Sequence, residues 1–475
     1  MERPLPPARG AASITYSFVR NEVFMFGGVS GLTYIDDLRA RFRGGSPTSS
    51  VWRPNDLNTS MATGALKPSG RAYASMVSLD TGDAVSTPMY LFGGQTSAGT
   101  PSDELWKLVI LADNIPSWTK VTPPTPATAT SWPKPRLLHG MAAIDSTTVL
   151  LFGGVDKTGT PLSDTWSWSH ATQKWTRRCE SCFPATYGFT TVPGRARSGA
   201  RDMPVVFGGY DVATASYTAA VHQWDNSKAR WEVPAIGNAL VPTDDSGFVT
   251  PTATAGTVSP QARFLGFGFW SPTGNLMVGG GVRTSPQNVD TYINDLWAWQ
   301  TPGQSGGNRW VREGGTLSLG LPGFRESPAA VLFELTNDGN TSSNGLVFGG
   351  ITNPNTGQVT DSTRLYRADA TTVSLTVGTA ASNTAFRLTA AVTNIPTMQA
   401  YFMRRRAGTW EPVPGLGCGS VYAPQSTTGS PTCDTLIADN ATTDAFAVLV
   451  RNEAYHTQLL GTPGRTAPRR WTRSR

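Results

Sequence analysis

An apolar strand that ends in two glycines occurs six times along the chain. The copies are Phe24-Met25-Phe26-Gly27-Gly28, Tyr90-Leu91-Phe92-Gly93-Gly94, Leu150-Leu151-Phe152-Gly153-Gly154, Val205-Val206-Phe207-Gly208-Gly209, Leu276-Met277-Val278-Gly279-Gly280 and Leu346-Val347-Phe348-Gly349-Gly350. The first glycines stand at 27, 93, 153, 208, 279 and 349, so each unit is 55 to 71 residues long. A period of that size is one supersecondary unit, stacked because a single copy cannot bury its own apolar faces.

The flanks repeat as well. A Pro-x-x-Arg precedes five copies, ending at Arg9, Arg71, Arg136, Arg263 and Arg325. In the fourth it reads as the compressed Pro193-Gly194-Arg195, with Arg197 as a rival alignment. After the glycines comes an acidic-aromatic strand such as Asp103-Glu104-Leu105-Trp106, Asp164-Thr165-Trp166 or Asp295-Leu296-Trp297, and a last tryptophan follows at Trp52, Trp118, Trp175, Trp231 and Trp310. Each unit therefore reads as four short strands. This pattern resembles the kelch family, and the resemblance covers roughly residues 5 to 370. It implies an all-β fold, a six-bladed kelch-type β-propeller with one four-stranded blade per repeat. Much of the high tryptophan content, 15 residues, then becomes wedges between blades.

Composition agrees with this class. Apolar content is 39%, with 50 Gly and 35 Pro, which suits a turn-rich β protein. No apolar run is long enough for a membrane span. The start, Met1 to Pro7, has no apolar core, so either the protein is not secreted or a leader precedes it. The net charge of +6 is mild and scattered, apart from Arg404-Arg405-Arg406 and a cluster in the last eleven residues. A nucleic-acid partner would require a dense basic face, and none is expected.

Beyond residue 370 the repeat stops while strand-like stretches continue, from Ala385–Val392 to Ala445–Arg451. The expected division is a propeller over 1–370, a small β-sandwich over 371–462, immunoglobulin-like as one form open to it, and a basic tail over 463–475. Thr371 to Val377 has a second reading, as the outer strand of the sixth blade.

The cysteines fall into two local pairs, Cys179 with Cys182 and Cys418 with Cys433. Both read as disulfide candidates, since no second Cys-x-x-Cys completes a zinc site. Paired thiols favour an oxidising compartment, hence an extracellular or surface-associated protein, with the cytoplasm as the alternative. Asn58, Asn340 and Asn440 sit in glycosylation sequons, at a frequency that chance alone supplies.

Some propellers with an appended sandwich resemble galactose oxidase, whose copper chemistry needs two His, two Tyr and a Tyr–Cys crosslink. Here the histidines are His139, His170, His222 and His456, with no ligand pair by spacing. No catalytic motif, metal or cofactor is expected. The remaining chemistry is the arginine set, Arg9, Arg71, Arg136, Arg195, Arg263 and Arg325. Two readings are open: a ring at one channel mouth that binds anions or acidic peptides, or guanidiniums paired inside each blade junction. The functional expectation is a non-enzymatic interaction or structural platform whose partners are other proteins, acidic ones or members of a larger assembly. The rivals are an intracellular kelch adaptor, although the usual companion domains are absent from the sequence, and a copper oxidase relative.

Overall fold

The computed structural model of the 475-residue chain describes residues 6–460, apart from internal stretches of which the longest are 241–259, 301–308, 315–326 and 413–420. Among the described residues there is no α-helix, only two short 3-10 turns at Leu57–Ser60 and Ala112–Asn114. Nearly everything else with regular structure is antiparallel strand. The chain divides into two compact units: residues 1–235, 260–294 and 322–364, and residues 236–259, 295–321 and 365–475.

The first unit holds the first four repeats and the opening strands of the fifth and sixth. Four consecutive sheets have four antiparallel strands each, in simple order. The first contains Ser13–Ser17, Glu22–Phe26, Leu38–Arg43 and Ser50–Trp52; the second runs from Ser75–Ser78 to Pro116–Val121. The third runs from Gly140–Ala143 to Lys174–Cys179, and the fourth from Thr190–Val192 to Arg230–Glu232. Phe267–Trp270 pairs with Leu276–Gly279, and Ala329–Asn337 with Asn340–Phe348, to begin the fifth and sixth repeats. The six first strands touch in sequence, and that of the sixth repeat touches that of the first, so they make a closed circuit.

Aromatic packing follows the sequence period. In four repeats the last tryptophan lies edge-on against the phenylalanine before the glycines of the preceding repeat. Ring centroids are 5.2 Å apart for Trp118 and Phe26, 5.6 Å for Trp175 and Phe92, and 4.5 Å for Trp231 and Phe152. Trp52 meets Phe348 at 5.3 Å, so the first repeat completes the same contact with the sixth. The junctions among the first four sheets form continuous apolar layers, for example Phe24, Phe26, Met89, Leu91, Trp106 and Trp118 between the first two. Burying side chains of this size is worth about 2–3 kcal/mol apiece, so junctions rather than isolated sheets carry the stability.

A second closure uses backbone alone. The residue two places after each repeat arginine, or its counterpart, adopts positive φ: Ala11 (54°), Tyr73 (57°), Leu138 (57°), Gly188 (65°), Leu265 (56°) and Ser327 (48°). Each N–H donates to the equivalent carbonyl of the preceding repeat. The bonds run Tyr73 to Ala11 (3.0 Å), Leu138 to Tyr73 (3.2 Å), Gly188 to Leu138 (3.2 Å), Leu265 to Gly188 (2.8 Å), Ser327 to Leu265 (2.8 Å) and Ala11 to Ser327 (2.8 Å). The result is a closed hoop of six hydrogen bonds. Five of its members are non-glycine residues in the left-handed region, which costs about 1 kcal/mol or more each. Such strain persists only where the surroundings over-determine it.

The hoop corrects the sequence alignment of the fourth repeat. Gly188 occupies its place, so the counterpart of the arginine is Thr186, not Arg195. In the fifth repeat the left-handed glycines are Gly280 and Gly281, one place later than the spacing alone indicates, because the strand continues through Gly279.

The second unit is also antiparallel for the most part. Leu296–Gln300 pairs with Arg309–Gly314, which places Trp299 opposite Trp310, and Gly237–Leu240 adds the one parallel pairing among the described strands. Val373–Thr379, Ala385–Thr393 and Thr432–Leu436 belong to one later sheet, and Met398–Arg406 with Thr443–Asn452 form the centre of another.

Candidate functional site

The repeat arginines are the most distinctive polar groups of the first unit, and their geometry is uniform. Arg9, Arg71, Arg136 and Arg263 are each 0–1% exposed. In every case Nε donates to the carbonyl two residues upstream, at 3.0–3.1 Å (Pro7, Ser69, Lys134 and Gln261). Nη1 donates to the carbonyl of the first left-handed glycine: Gly27 at 2.9 Å, Gly93 at 3.1 Å, Gly153 at 3.0 Å and Gly280 at 3.0 Å. The acidic residue of the same repeat completes three of the latches. Asp37 takes Arg9 through both oxygens, Glu104 takes Arg71 at 2.7 Å, and Asp164 takes Arg136 at 2.7 and 2.8 Å.

The backbone of each arginine is held by the preceding repeat. Gly28 N–H donates to Arg71 O, Gly94 to Arg136 O, Gly209 to Arg263 O and Gly350 to Arg9 O, all at 2.8–2.9 Å. A Cβ on Gly27 would come within 2.5 Å of Arg71 O, so close approach of the next repeat, together with φ of 74°, demands glycine there. The Arg side chain thus fastens its own repeat while its backbone fastens the previous one.

Charge state follows from this burial. Desolvation pushes the Asp37 carboxyl up, but Arg9 and Arg39 outweigh it and hold the group below the usual range. Burial likewise works against ionised Glu104, yet bonds from Arg71, Lys120 and Trp106 bring it down to about 2. The guanidiniums of Arg9, Arg71, Arg136 and Arg263 are therefore engaged inside the junctions and are not presented to a ligand at a mouth. Arg195 and Arg325 lie outside the described residues.

Among the described residues the fourth repeat carries no such latch. The first-glycine N–H donates to Asp37 O, Glu104 O and Asp164 O in repeats one to three, and to Ala220 O in the fourth. Thr186 and Ala220 thus replace both members of the ion pair. Losing the two together is the expected solution, since a single buried charge without its partner is costly.

The first strands surround a cavity of about 230 Å³. Ser13, Thr15, Met76, His139, Thr190 and Trp270 contribute to its wall, in which the described residues include no Asp, Glu, Lys or Arg. Hydroxyls stitch neighbouring strands: Ser13 donates to Ala74 O (2.8 Å), Ser75 donates to His139 O (2.9 Å), and Thr15 accepts from Ser78 N–H (2.9 Å). His139 lies edge-on to Phe92 at 5.7 Å, and burial, with Arg136 nearby, pushes its imidazole down to about 3. It is neutral at physiological pH.

The other histidines are dispersed. His170 Nδ1 meets the Tyr90 hydroxyl at 2.7 Å, and His222 sits in the Val221–Asp225 strand opposite Val206. His456 lies outside the described residues. No group of three or more His, Cys, Asp or Glu able to hold a metal occurs among the described residues.

Cys179 and Cys182 form a disulfide at the end of the Lys174–Cys179 strand, with Cα atoms 5.9 Å apart. Cys418 lies outside the described residues, and Cys433 stands opposite Leu388 in its sheet. The sequon at Asn58 is not open to a glycan. Asn58 is buried, its Nδ2 donates to Asp36 O at 2.9 Å, and its Oδ1 accepts from Trp118 Nε1 at 3.1 Å. Asn340 begins a strand, and Asn440 lies outside the described residues. Among the described residues no helix is long and apolar enough to cross a membrane.

Comparison with known proteins locates these repeats. The KLHDC2/KLHL20/DRC7 Kelch-repeats domain matches residues 47–250. A tRNA wybutosine-synthesizing protein 4 from Emericella nidulans is 42% identical over 88 residues, which are 18% of this chain and 8% of that protein's length. Among solved structures, that of YjhT is 16% identical and superposes with a TM-score of 0.49, covering 77% of this chain and 97% of its own. A cryo-EM structure of RAG in complex with one melted and one unmelted RSS contains a chain 11% identical, with a TM-score of 0.35, covering 63% of this chain and 97% of its own.

Proposed function

We propose, from the kelch-repeat match over residues 47–250, that the chain is a non-enzymatic platform for other proteins, part of an extracellular or surface assembly. Kelch repeats make a protein-interaction scaffold. The finer reading is a six-bladed propeller, followed by a β-sandwich, that presents its connecting loops to partners. The observation that carries the non-enzymatic part is where the polar chemistry goes. Arg9, Arg71, Arg136 and Arg263 are consumed inside the junctions, and the described residues that wall the cavity are uncharged. What faces solvent instead is apolar loop surface, such as Leu32 (97% exposed) and Val212 (40% exposed), both on hairpins that follow glycine pairs.

The Cys179–Cys182 disulfide supports an oxidising setting, because such bonds persist outside the reducing cytosol. Cross-linking mass spectrometry on the tagged full chain, purified from its native source, tests the platform. Cross-links from a specific partner to the hairpin loops are expected. A chain that purifies alone and carries stoichiometric copper would overturn the reading in favour of a copper oxidase. Intact-mass measurement with and without reductant tests the compartment: four free thiols in native material would remove the extracellular assignment.

A further inference from the structure

The fourth repeat, which lacks the ion-pair latch, carries a different feature. Thr186–Tyr187, Tyr210–Asp211 and Ser216–Tyr217 form a small three-stranded sheet, with Tyr187 opposite Tyr210 and Tyr210 opposite Tyr217. Three tyrosines therefore stand in one row. Phe264 of the next repeat closes them into a cycle of four rings. Centroids are 5.5 Å apart for Tyr187 and Tyr210, 5.8 Å for Tyr210 and Tyr217, 5.5 Å for Tyr217 and Phe264, and 5.8 Å for Phe264 and Tyr187. Tyr217 and Phe264 are parallel within 8°, and Tyr187 stands at 87° to Phe264. All four are only half-buried, so ring surface remains in contact with solvent.

The fold does not require aromatic residues here. The counterparts of Tyr187 are Gly10, Ala72, Leu137 and, in the fifth repeat, Phe264 itself, and those of Tyr210 are Val29, Gln95, Val155, Val282 and Ile351, so the same hairpin pairs in three repeats with no aromatic at either place. Within the sheet that carries the three tyrosines the formal charge is one-sided. The three-stranded sheet contributes a single formal charge, Asp211, next to Tyr210, and contains no Lys or Arg. The Arg263 guanidinium is committed to Gly280 O and lies over Phe207, inside the junction. Ring faces carry negative electrostatic potential, and a neighbouring carboxylate adds to it.

We infer that the cycle of Tyr187, Tyr210, Tyr217 and Phe264 is a seat for a cationic side chain, a lysine or arginine of a partner protein. The quadrupoles of the rings hold the cation and Asp211 supplies the nearest opposite charge. A choline lipid headgroup shares the cationic chemistry, but its phosphate would meet Asp211 and find no basic residue in this sheet. The partner-protein source is therefore the one that fits. The inference deepens the platform reading by naming one group that a partner brings, and small cations test it without any partner, so the two fail separately.

The test is titration of the full chain with choline, with its neutral isostere 3,3-dimethylbutan-1-ol and with phosphocholine, followed by calorimetry or ligand-observed NMR. Choline should bind, the isostere about tenfold more weakly because it lacks the charge, and phosphocholine more weakly than choline. Tyr217→Leu should lower choline affinity about tenfold, whereas Tyr210→Phe should keep it, and thermal melting confirms that each variant is folded. If Tyr217→Leu does not fold, Phe264→Leu takes its place. Equal binding of the isostere, unchanged binding in the leucine variant, or no choline binding would each overturn the proposal. Phosphocholine binding more tightly than choline would overturn the partner-protein assignment in favour of a lipid.

Discussion

Removing Asp164 from the third repeat should be far more damaging than removing Asp164 and Arg136 together. Arg136 is fully buried and gives two hydrogen bonds to Asp164, at 2.7 and 2.8 Å. Asp164→Ala leaves that guanidinium without its counter-charge, and Trp166 Nε1 loses its acceptor at 2.7 Å. Breaking a buried pair from one side costs about 3–5 kcal/mol. Arg136→Met with Asp164→Ala removes both charges, as Thr186 and Ala220 do in the fourth repeat. What remains is the lost bonds to Gly153 O and Lys134 O and the Trp166 acceptor, about 1 kcal/mol each. Either single variant strands a buried charge at about 3–5 kcal/mol, so a double-mutant cycle should return a coupling of about 3 kcal/mol or more. The assay is urea unfolding followed by tryptophan fluorescence, compared through midpoints at a shared slope. A chain of this size can unfold in stages, so a probe local to the junction is the informative one, and Trp166 and Trp175 lie in it. If the two single variants lose stability independently and the double variant shows their sum, the arginines are not latches and the argument from the fourth repeat collapses.

Three further outcomes follow from the same junctions. Glu104 is held at about 2 when folded against an ordinary value near 4.5, so its stabilisation is complete above the ordinary value and fades as pH falls towards 2; the melting difference between wild type and Glu104→Gln should shrink over that window, and a constant difference would contradict it. His139 is held at about 3 against 6.5, so between those values the unfolded chain binds a proton that the folded chain refuses and stability falls as pH falls. His139→Phe should flatten that part of the pH–stability curve, and NMR should show no titration of the wild-type ring between pH 7 and 4. Asn58→Ala leaves Trp118 Nε1 and Asp36 O unpaired in a buried site and should cost about 1–3 kcal/mol in urea unfolding, while peptide mapping of secreted material should find Asn58 without glycan.

The sequence announces what the side chains repeat and is silent about what the backbone repeats. Phe26, Phe92, Phe152 and Phe348 pack as the apolar-Gly-Gly signature implies, against Trp118, Trp175, Trp231 and Trp52. The disulfide candidate Cys179 with Cys182 was legible for the same reason, as a spacing between side chains. Arg195 was misplaced because the fourth repeat drops its arginine and its acid in one step, so no unpaired charge remained to reveal the gap, and a nearby Pro-Gly-Arg offered itself instead. The frame there is fixed by Gly188 and its hydrogen bonds to Leu138 and Leu265.

The hoop explains why that loss is tolerated. Its members are Ala, Tyr, Leu, Gly, Leu and Ser, with no shared side-chain chemistry, because only N–H and C=O take part. A backbone closure survives replacement of any one latch, so a repeat can surrender its buried ion pair without opening the circuit of strands. The freedom gained is local to the fourth repeat: with no charge to neutralise, the positions beside Thr186 and Gly209 can hold tyrosines. Where the common fastening is absent, surface chemistry can differ from that of the other repeats, and that is where a partner-specific contact belongs.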